Sequence, residues 1–279
     1  MKKILFLAAN PSQTARLGLD REVREIEDAL RRSKYRDNFI LEQRWAVRPR
    51  DIRRALLDCQ PDIVHFSGHG AGKHGLILED ETGKEQLVSG DALAGLFGLF
   101  SQPRECVILN ACYSSFQAEA IAQNVDYVVG MDDSIADDAA IAFAVGFYDG
   151  LAGYHPEFCA GSPIEFAFSM ARNALQFSPI PNYQTPHLTK NPKIILEEWR
   201  AIHVFHEAKT SRHDAIPFPF EPSFQEKLKS HHVHKAAKAS GGKAIQVEQA
   251  VLEELASIHA YKAAKAAKEE PIRFYSQIK

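Results

Sequence analysis

A histidine, His69, and a cysteine, Cys112, each stand just past a short apolar run and among small residues. The first run reads Pro61-Asp62-Ile63-Val64-His65-Phe66-Ser67-Gly68-His69-Gly70, the second Glu105-Cys106-Val107-Ile108-Leu109-Asn110-Ala111-Cys112-Tyr113-Ser114. Such β-branched runs, ending abruptly in small or polar residues, read as buried parallel strands. In open α/β sheets ligands and chemistry gather at the C-terminal ends of the strands, which is where both residues fall. An imidazole beside a thiol can take its proton, or hold the thiolate as an ion pair, and later return a proton to a leaving amine. Forty-three residues separate the two (112 − 69), enough for one crossover between neighbouring strands. Gly70, lacking a side chain, can aim its backbone N–H into such a site, where the N–H of Cys112 could join it in holding an oxyanion. Taken singly, a strand-end cysteine or histidine also fits a structural role; together, in this order and spacing, they point to catalysis.

Ser-Gly-His-Gly after one strand and Asn-Ala-Cys-x-Ser after the next resemble the two active-site motifs of CHAT domains, bacterial members of the caspase and separase clan of cysteine peptidases. The resemblance runs through Ile4 to Pro11, the helical stretch Asp20 to Ser33, and Val129-Gly130-Met131 followed by Asp137-Asp138-Ala139-Ala140, covering roughly residues 1 to 200. It implies a caspase-like (hemoglobinase) fold, with His69 as general base, Cys112 as nucleophile and the amides of Gly70 and Cys112 as oxyanion donors. It also implies a regulated cytoplasmic endopeptidase in bacterial signalling or defence, acting on a protein substrate under a regulatory or sensor partner, with no cofactor. A catalytically idle adaptor on the same fold is the alternative. In relatives specific for Arg or Lys, an Asp stands two residues before the nucleophile; here that position is Asn110, which carries no charge to meet a basic side chain. Asn110, Ser114, Asp132 and Asp133 are therefore the expected substrate contacts, with an uncharged or apolar residue expected before the cleaved bond.

The elements that must position the pair alternate. Lys3 to Ala9 reads as a first strand. Asp20 to Lys34 follows as a helix, with Val23, Ile26, Ala29 and Leu30 on one face and the charged residues on a solvated one. Phe39 to Trp45 is a second strand, and Pro49 opens a helix over Arg50 to Asp58. After His69, Leu76 to Asp80 and Lys84 to Val88 form a hairpin around Glu81-Thr82-Gly83. Ser89 caps a helix over Asp91 to Phe100. A short helix follows Cys112, then a strand from Asp126 to Met131 and an acidic loop, Asp132 to Asp138, in which Asp137 or Asp138 caps the next helix. Ala139 to Ala152 and Ser162 to Gln176 are amphipathic helices, and Lys193 to Trp199 is read as a last strand at the sheet edge. The alternation argues for a three-layer α/β/α sandwich with a mainly parallel central sheet. His65 and Cys106, inside the strands, read as core.

The chain has 279 residues, 45% of them hydrophobic and 25% charged, with four cysteines in no Cys-x-x-Cys pair, so neither a zinc site nor a disulfide framework is expected. A net charge of −3 gives no general attraction for nucleic acid or for an anionic membrane. The apolar run Ile4 to Ala9 is broken by Asn10-Pro11, too short for a signal peptide, and a reducing cytoplasm would keep a reactive thiol usable. Residues 1–200 read as the peptidase domain. Residues 201–279 read as an appendage with a Pro-rich linker (Ile216 to Pro222), a Ser240-Gly241-Gly242 break and an amphipathic helix over Gln246 to Glu270. His231, His232 and His234 lack partners at metal-ligand spacing.

Overall fold

The computed structural model describes residues 1–100, 104–177, 183–195 and 198. In chain order the elements are β1 (Lys2–Ala8), α1 (Leu19–Arg32), β2 (Phe39–Arg44), α2 (Pro49–Cys59), β3 (Ile63–Ser67), β4 (His69–Gly70), β5 (Leu76–Glu79), β6 (Glu85–Val88), α3 (Gly90–Phe97), β7 (Arg104–Asn110), α4 (Ser115–Ile121), β8 (Val125–Met131), α5 (Asp137–Gly153), α6 (Pro163–Phe177) and β9 (Pro186–Lys190). One sheet has the order β2-β1-β3-β7-β8-β9; its first five strands are parallel, and β9 runs antiparallel to β8. A smaller antiparallel sheet, β4-β5-β6, stands beside it.

Period-two alternation decides what each face of the large sheet meets. Leu5, Leu7, Val64, Phe66, Val107 and Leu109 pack with Ile52 and Leu56 of α2, Leu93 and Phe97 of α3, and Ala118 and Ile121 of α4. The opposite face carries Phe6, His65 and Asn110, met by Tyr148 of α5 and by Glu22 of α1. Helices thus cover both faces, as a parallel sheet with near-continuous apolar strands requires. The result is the three-layer α/β architecture read from the sequence. The first of two compact units takes in Met1–Tyr154 and Ala167–Lys190 and contains the whole site. The second takes in His155–Phe166 and, of the later residues described, those from Asn191.

Two readings of the elements are corrected. The last strand is Pro186–Lys190, where Met131 pairs with Pro186 and Tyr127 with Lys190. The stretch after it begins a helical turn: Ile194 N–H donates to Asn191 O at 3.0 Å, and Asn191 Oδ1 accepts from Lys193 N–H at 2.9 Å. An Asn before a Pro is a helix start, not an extended segment. The charged residues of α1 are also not all solvated, since Glu22 is only 2% exposed. The linker, the Gly-Gly break, the Gln246 to Glu270 helix and the three tail histidines lie outside the described residues.

Candidate active site

The register of β3 on β7 sets the two motifs side by side. Ser67 lies opposite Asn110, an offset of 43 (110 − 67), and Gly68 N–H donates to Asn110 O at 3.3 Å. Two residues further on lie His69, where the chain has left the large sheet to begin β4, and Cys112, in the turn after β7. The chain backbones approach closely there: a Cβ on Gly70 would fall far inside contact distance of the Cys112 carbonyl oxygen, so no larger residue fits without moving one strand end.

Separate loops hold each member of the pair. His69 Nε2 lies 2.8 Å from the carbonyl oxygen of Ala15, in the loop between β1 and α1. A carbonyl oxygen only accepts, so Nε2 is the donor in this contact, and in the neutral ring Nδ1 is then the nitrogen with the lone pair a general base uses. On the other side, Ile135 N–H donates to Cys112 Sγ at 3.4 Å, and the thiol lies 3.8 Å from Ile135 O. Tyr113, next after the cysteine, adopts a left-handed φ of 53°, and its N–H donates to Asp133 O at 3.2 Å. For a non-glycine residue such a conformation costs about 1–3 kcal/mol, and the surrounding bonds hold it. The two loops are themselves tied: Asp137 Oδ2 accepts from Gly18 N–H at 3.1 Å, and Asp138 pairs with Arg21 at 2.7 Å. The N-cap of α5 is Ala136, with no side-chain cap bond, so neither Asp137 nor Asp138 caps the helix; both stand in its first turn, where an acidic side chain offsets the dipole as expected.

Amide direction follows from the small sheet. Hydrogen-bonded and non-bonded pairs alternate along an antiparallel ladder. Ala71 N–H donates to Gly75 O at 2.9 Å, so Gly70, opposite Leu76, belongs to a non-bonded pair and points its N–H away from β5. Cys112 N–H meets no acceptor among the described residues. Among the described residues neither amide is spent, as suits donors to an oxyanion.

The four expected substrate contacts divide. Asp132 and Asp133 are exposed on the loop that touches the thiol. Asp132 Oδ2 lies 3.7 Å from His187 Nδ1, while Asp133 is held below the usual carboxylate range, first by the Ser134 N–H and then by the Tyr113 hydroxyl. Asn110 and Ser114 are not available to a substrate, and that expectation is corrected. Asn110 is 3% exposed, and its Nδ2 donates to Glu22 Oε1 at 2.7 Å and to Ala140 O at 3.1 Å. Ser114 is fully buried; its hydroxyl donates to Leu109 O at 2.8 Å and accepts from Met131 N–H at 3.0 Å, clasping β7 to β8. Period two explains Asn110: it shares a sheet face with Cys106 and Ile108, beneath α1 and α5, so no specificity argument can rest on its lack of charge.

Beneath the pair lies a polar cluster that the sequence reading missed. Glu22 accepts from the Ser67 hydroxyl with one oxygen and from Asn110 with the other. His65, completely buried, places Nε2 3.1 Å from Glu22 Oε1, off the line of its N–H bond, and Nδ1 3.1 Å from the Tyr148 hydroxyl. The signal was present: Glu22 sits at i+3 from Leu19 and i−4 from Ile26, on the apolar stripe of α1. Among the cysteines, Cys106 is buried and burial pushes its thiol well above the ordinary value, while Cys112 is only half-buried. No group of His, Cys, Asp or Glu among the described residues could hold a metal ion.

A mainly parallel α/β sheet with a cysteine and a histidine just past the ends of adjacent strands defines a class of proteins with the equipment for thiol chemistry. Residues 3–192 match the family model described as the CHAT domain, and the chain belongs to that family. It is 27% identical over 206 residues to a Roc-COR-CHAT protease of an unknown prokaryotic organism, covering 68% of this chain and 18% of that protein. It is 25% identical over 210 residues to a protein of Gillisia limnaea named as a probable protease, covering 70% of this chain and 36% of that one. The chain therefore spans well under half the length of these curated relatives. Among solved structures it is similar to a secreted C11 cysteine protease from Bacteroides thetaiotaomicron in complex with an irreversible peptide inhibitor, at a TM-score of 0.47 and 12% identity over 73% of this chain and 70% of that one. It is also similar to the Drosophila initiator caspase Dronc, at a TM-score of 0.45 and 10% identity over 68% of this chain and 79% of that one.

Proposed function

We propose that this chain is a cysteine endopeptidase in which Cys112 attacks the carbonyl of a protein substrate and His69 serves as general base. The observation that carries this reading is the close approach of Gly70, next after His69, to the backbone of Cys112, just beyond the paired ends of β3 and β7. In the reaction His69 Nδ1 takes the thiol proton, Sγ bonds to the carbonyl carbon, and the amides of Gly70 and Cys112 receive the developing negative charge. The imidazolium returns the proton to the leaving amine, and water then releases the acyl group. The CHAT relatives named as proteases support the activity.

The finer reading is a cytoplasmic enzyme of bacterial signalling or defence, switched on by a regulatory or sensor partner, with residues 201–279 as the appendage through which control is exerted. Asp132 and Asp133, exposed beside the thiol, are the side chains we assign to substrate contact. A second reading, an idle adaptor on the same fold, draws on the contacts that Ile135 makes to the sulfur from both its N–H and its carbonyl. Incubation with an electrophilic peptide probe separates the two. Labelling of Cys112, lost in Cys112→Ala and reduced about 100-fold or more in His69→Ala, is expected of the enzyme. A wild-type chain that stays unlabelled with and without cell extract, while small alkylating reagents reach Cys112, is the adaptor.

A further inference from the structure

We propose that Glu22 is a positioning residue for the His69–Cys112 site, its carboxylate fixing the ends of β3 and β7 against each other and against the start of α1. This rests on the catalytic reading of the pair. The carboxylate meets one side chain from each strand, Ser67 on β3 and Asn110 on β7. Those two residues face each other in the register, and each lies two positions before its half of the pair, His69 or Cys112. A displacement at Ser67 or Asn110 reaches the reacting residue through a single dipeptide, at most about 7 Å of chain. Glu22 also stands in the first turn of α1, so its carboxylate ties the start of that helix, which follows the loop whose Ala15 carbonyl meets the His69 ring, to both strands. One side chain thus joins the three pieces of backbone that set the pair.

Energetics favour positioning over simple stabilisation. A carboxylate that is 2% exposed has lost its water and is kept only by well-aligned donors, and replacing a buried polar cluster by apolar residues is often neutral or stabilising. The neighbouring strands offer no shortage of apolar surface. The Asn110 amide cannot turn over, because Nδ2 meets two pure acceptors, Glu22 Oε1 and Ala140 O. The Asn110 side chain is thereby held in one orientation at the end of β7, next to the site.

The test compares Glu22→Leu, Glu22→Gln, Ser67→Ala and the Glu22→Leu/Ser67→Ala pair in the full chain. It reads the rate of Cys112 alkylation by iodoacetamide against pH, and amide hydrogen exchange across residues 66–70 and 109–113. Glutamine can still accept from Asn110 and can donate to the Ser67 hydroxyl, so it is expected to stay within about threefold of wild type. Glu22→Leu is expected to slow the His69-dependent alkylation about 10- to 100-fold and to raise exchange at the two strand ends more than across β1 and β2. Ser67→Ala should do the same more weakly, and add nothing in the Glu22→Leu background. If Glu22→Leu fails to fold, Ser67→Ala carries the decision. Variants that melt lower yet keep the wild-type alkylation profile and strand-end exchange would overturn the proposal, as would a glutamine variant no better than leucine. Should His69→Ala leave alkylation unchanged, the catalytic reading falls, and exchange at the strand ends still decides whether Glu22 holds them.

Discussion

Gly70 shows how narrow the tolerance at the site is, because the space its missing side chain leaves is taken by the Cys112 carbonyl. Gly70→Ala must push one of the two strand ends away, turning the Gly70 amide from the position an oxyanion would occupy. Loss of one oxyanion donor costs roughly 100- to 1,000-fold in rate. The expected outcome is a folded protein, melting within a few degrees of wild type, whose labelling by an electrophilic peptide falls by about that factor. A Gly70→Ala protein labelled at the wild-type rate would show that this amide takes no part. The pair itself was legible in the sequence, since two strand-end motifs announce themselves by residue type. Asn110 and Ser114 were not, because a polar residue ending an apolar run looks the same whether it faces a cleft or a buried carboxylate. Which of these holds depends on α1 and on β8, elements distant in the chain. Glu22 was visible as an anomaly, a charge at an apolar stripe position, but the donors that make it affordable come from residues 67 and 110.

At the scale of elements, the hairpin of β5 and β6 flanks the Gly70 strand, and its turn is held by backbone bonds between Asp80 and residues 83 and 84 and by the Asp80 side chain. Asp80 Oδ1 accepts from Thr82 N–H at 2.7 Å, from the Thr82 hydroxyl at 2.8 Å and from Lys84 N–H at 2.9 Å. The bond from the Lys84 amide, followed by those from Thr82, holds the Asp80 carboxyl below its ordinary range. A carboxyl whose folded value is depressed contributes stability that is fully present above its unfolded value of about 3.9 and is lost as the pH falls through the lower folded value. Asn at this position keeps an acceptor oxygen but cannot titrate. Asp80→Asn should therefore match wild type closely at pH 7 and lose less Tm between pH 5 and pH 2, whereas Asp80→Ala should melt lower at both ends. Parallel acid profiles for wild type and Asp80→Asn would remove Asp80 from the account of acid sensitivity. This hairpin, like the helices α2, α3 and α5, was legible from turn residues and apolar spacing. The last strand was not: four prolines between Ser178 and Lys193 read as punctuation, although Pro186 opens β9 opposite Met131, where the sheet edge tolerates it.

For the whole molecule, the question is where the self-sufficient unit ends. The family match stops at residue 192, and among the described residues β9, ending at Lys190, is the last element of the large sheet. β9 covers the open edge of β8, whose strand is apolar throughout its buried run of Tyr127, Val128, Val129 and Met131. Removing β9 would leave that row of N–H and C=O groups unpaired, a template for association with other chains. We therefore expect a chain ending at residue 200 to melt cooperatively and to keep Cys112 reactive, while one ending at residue 184, before β9, aggregates. Both ends keep the residues of the pair, Glu22 and the two loops, while the shorter one also loses the Thr185 O and His187 contacts to Asp132, so the labelling of Cys112 is read beside the aggregation. Light scattering and thermal melting of the two fragments, with iodoacetamide labelling of Cys112, make the measurement. Aggregation of the 200-residue fragment would assign residues 201–279 to the folded core and overturn the appendage we propose. A well-behaved 184-residue fragment would show instead that β8 is not an edge that needs covering.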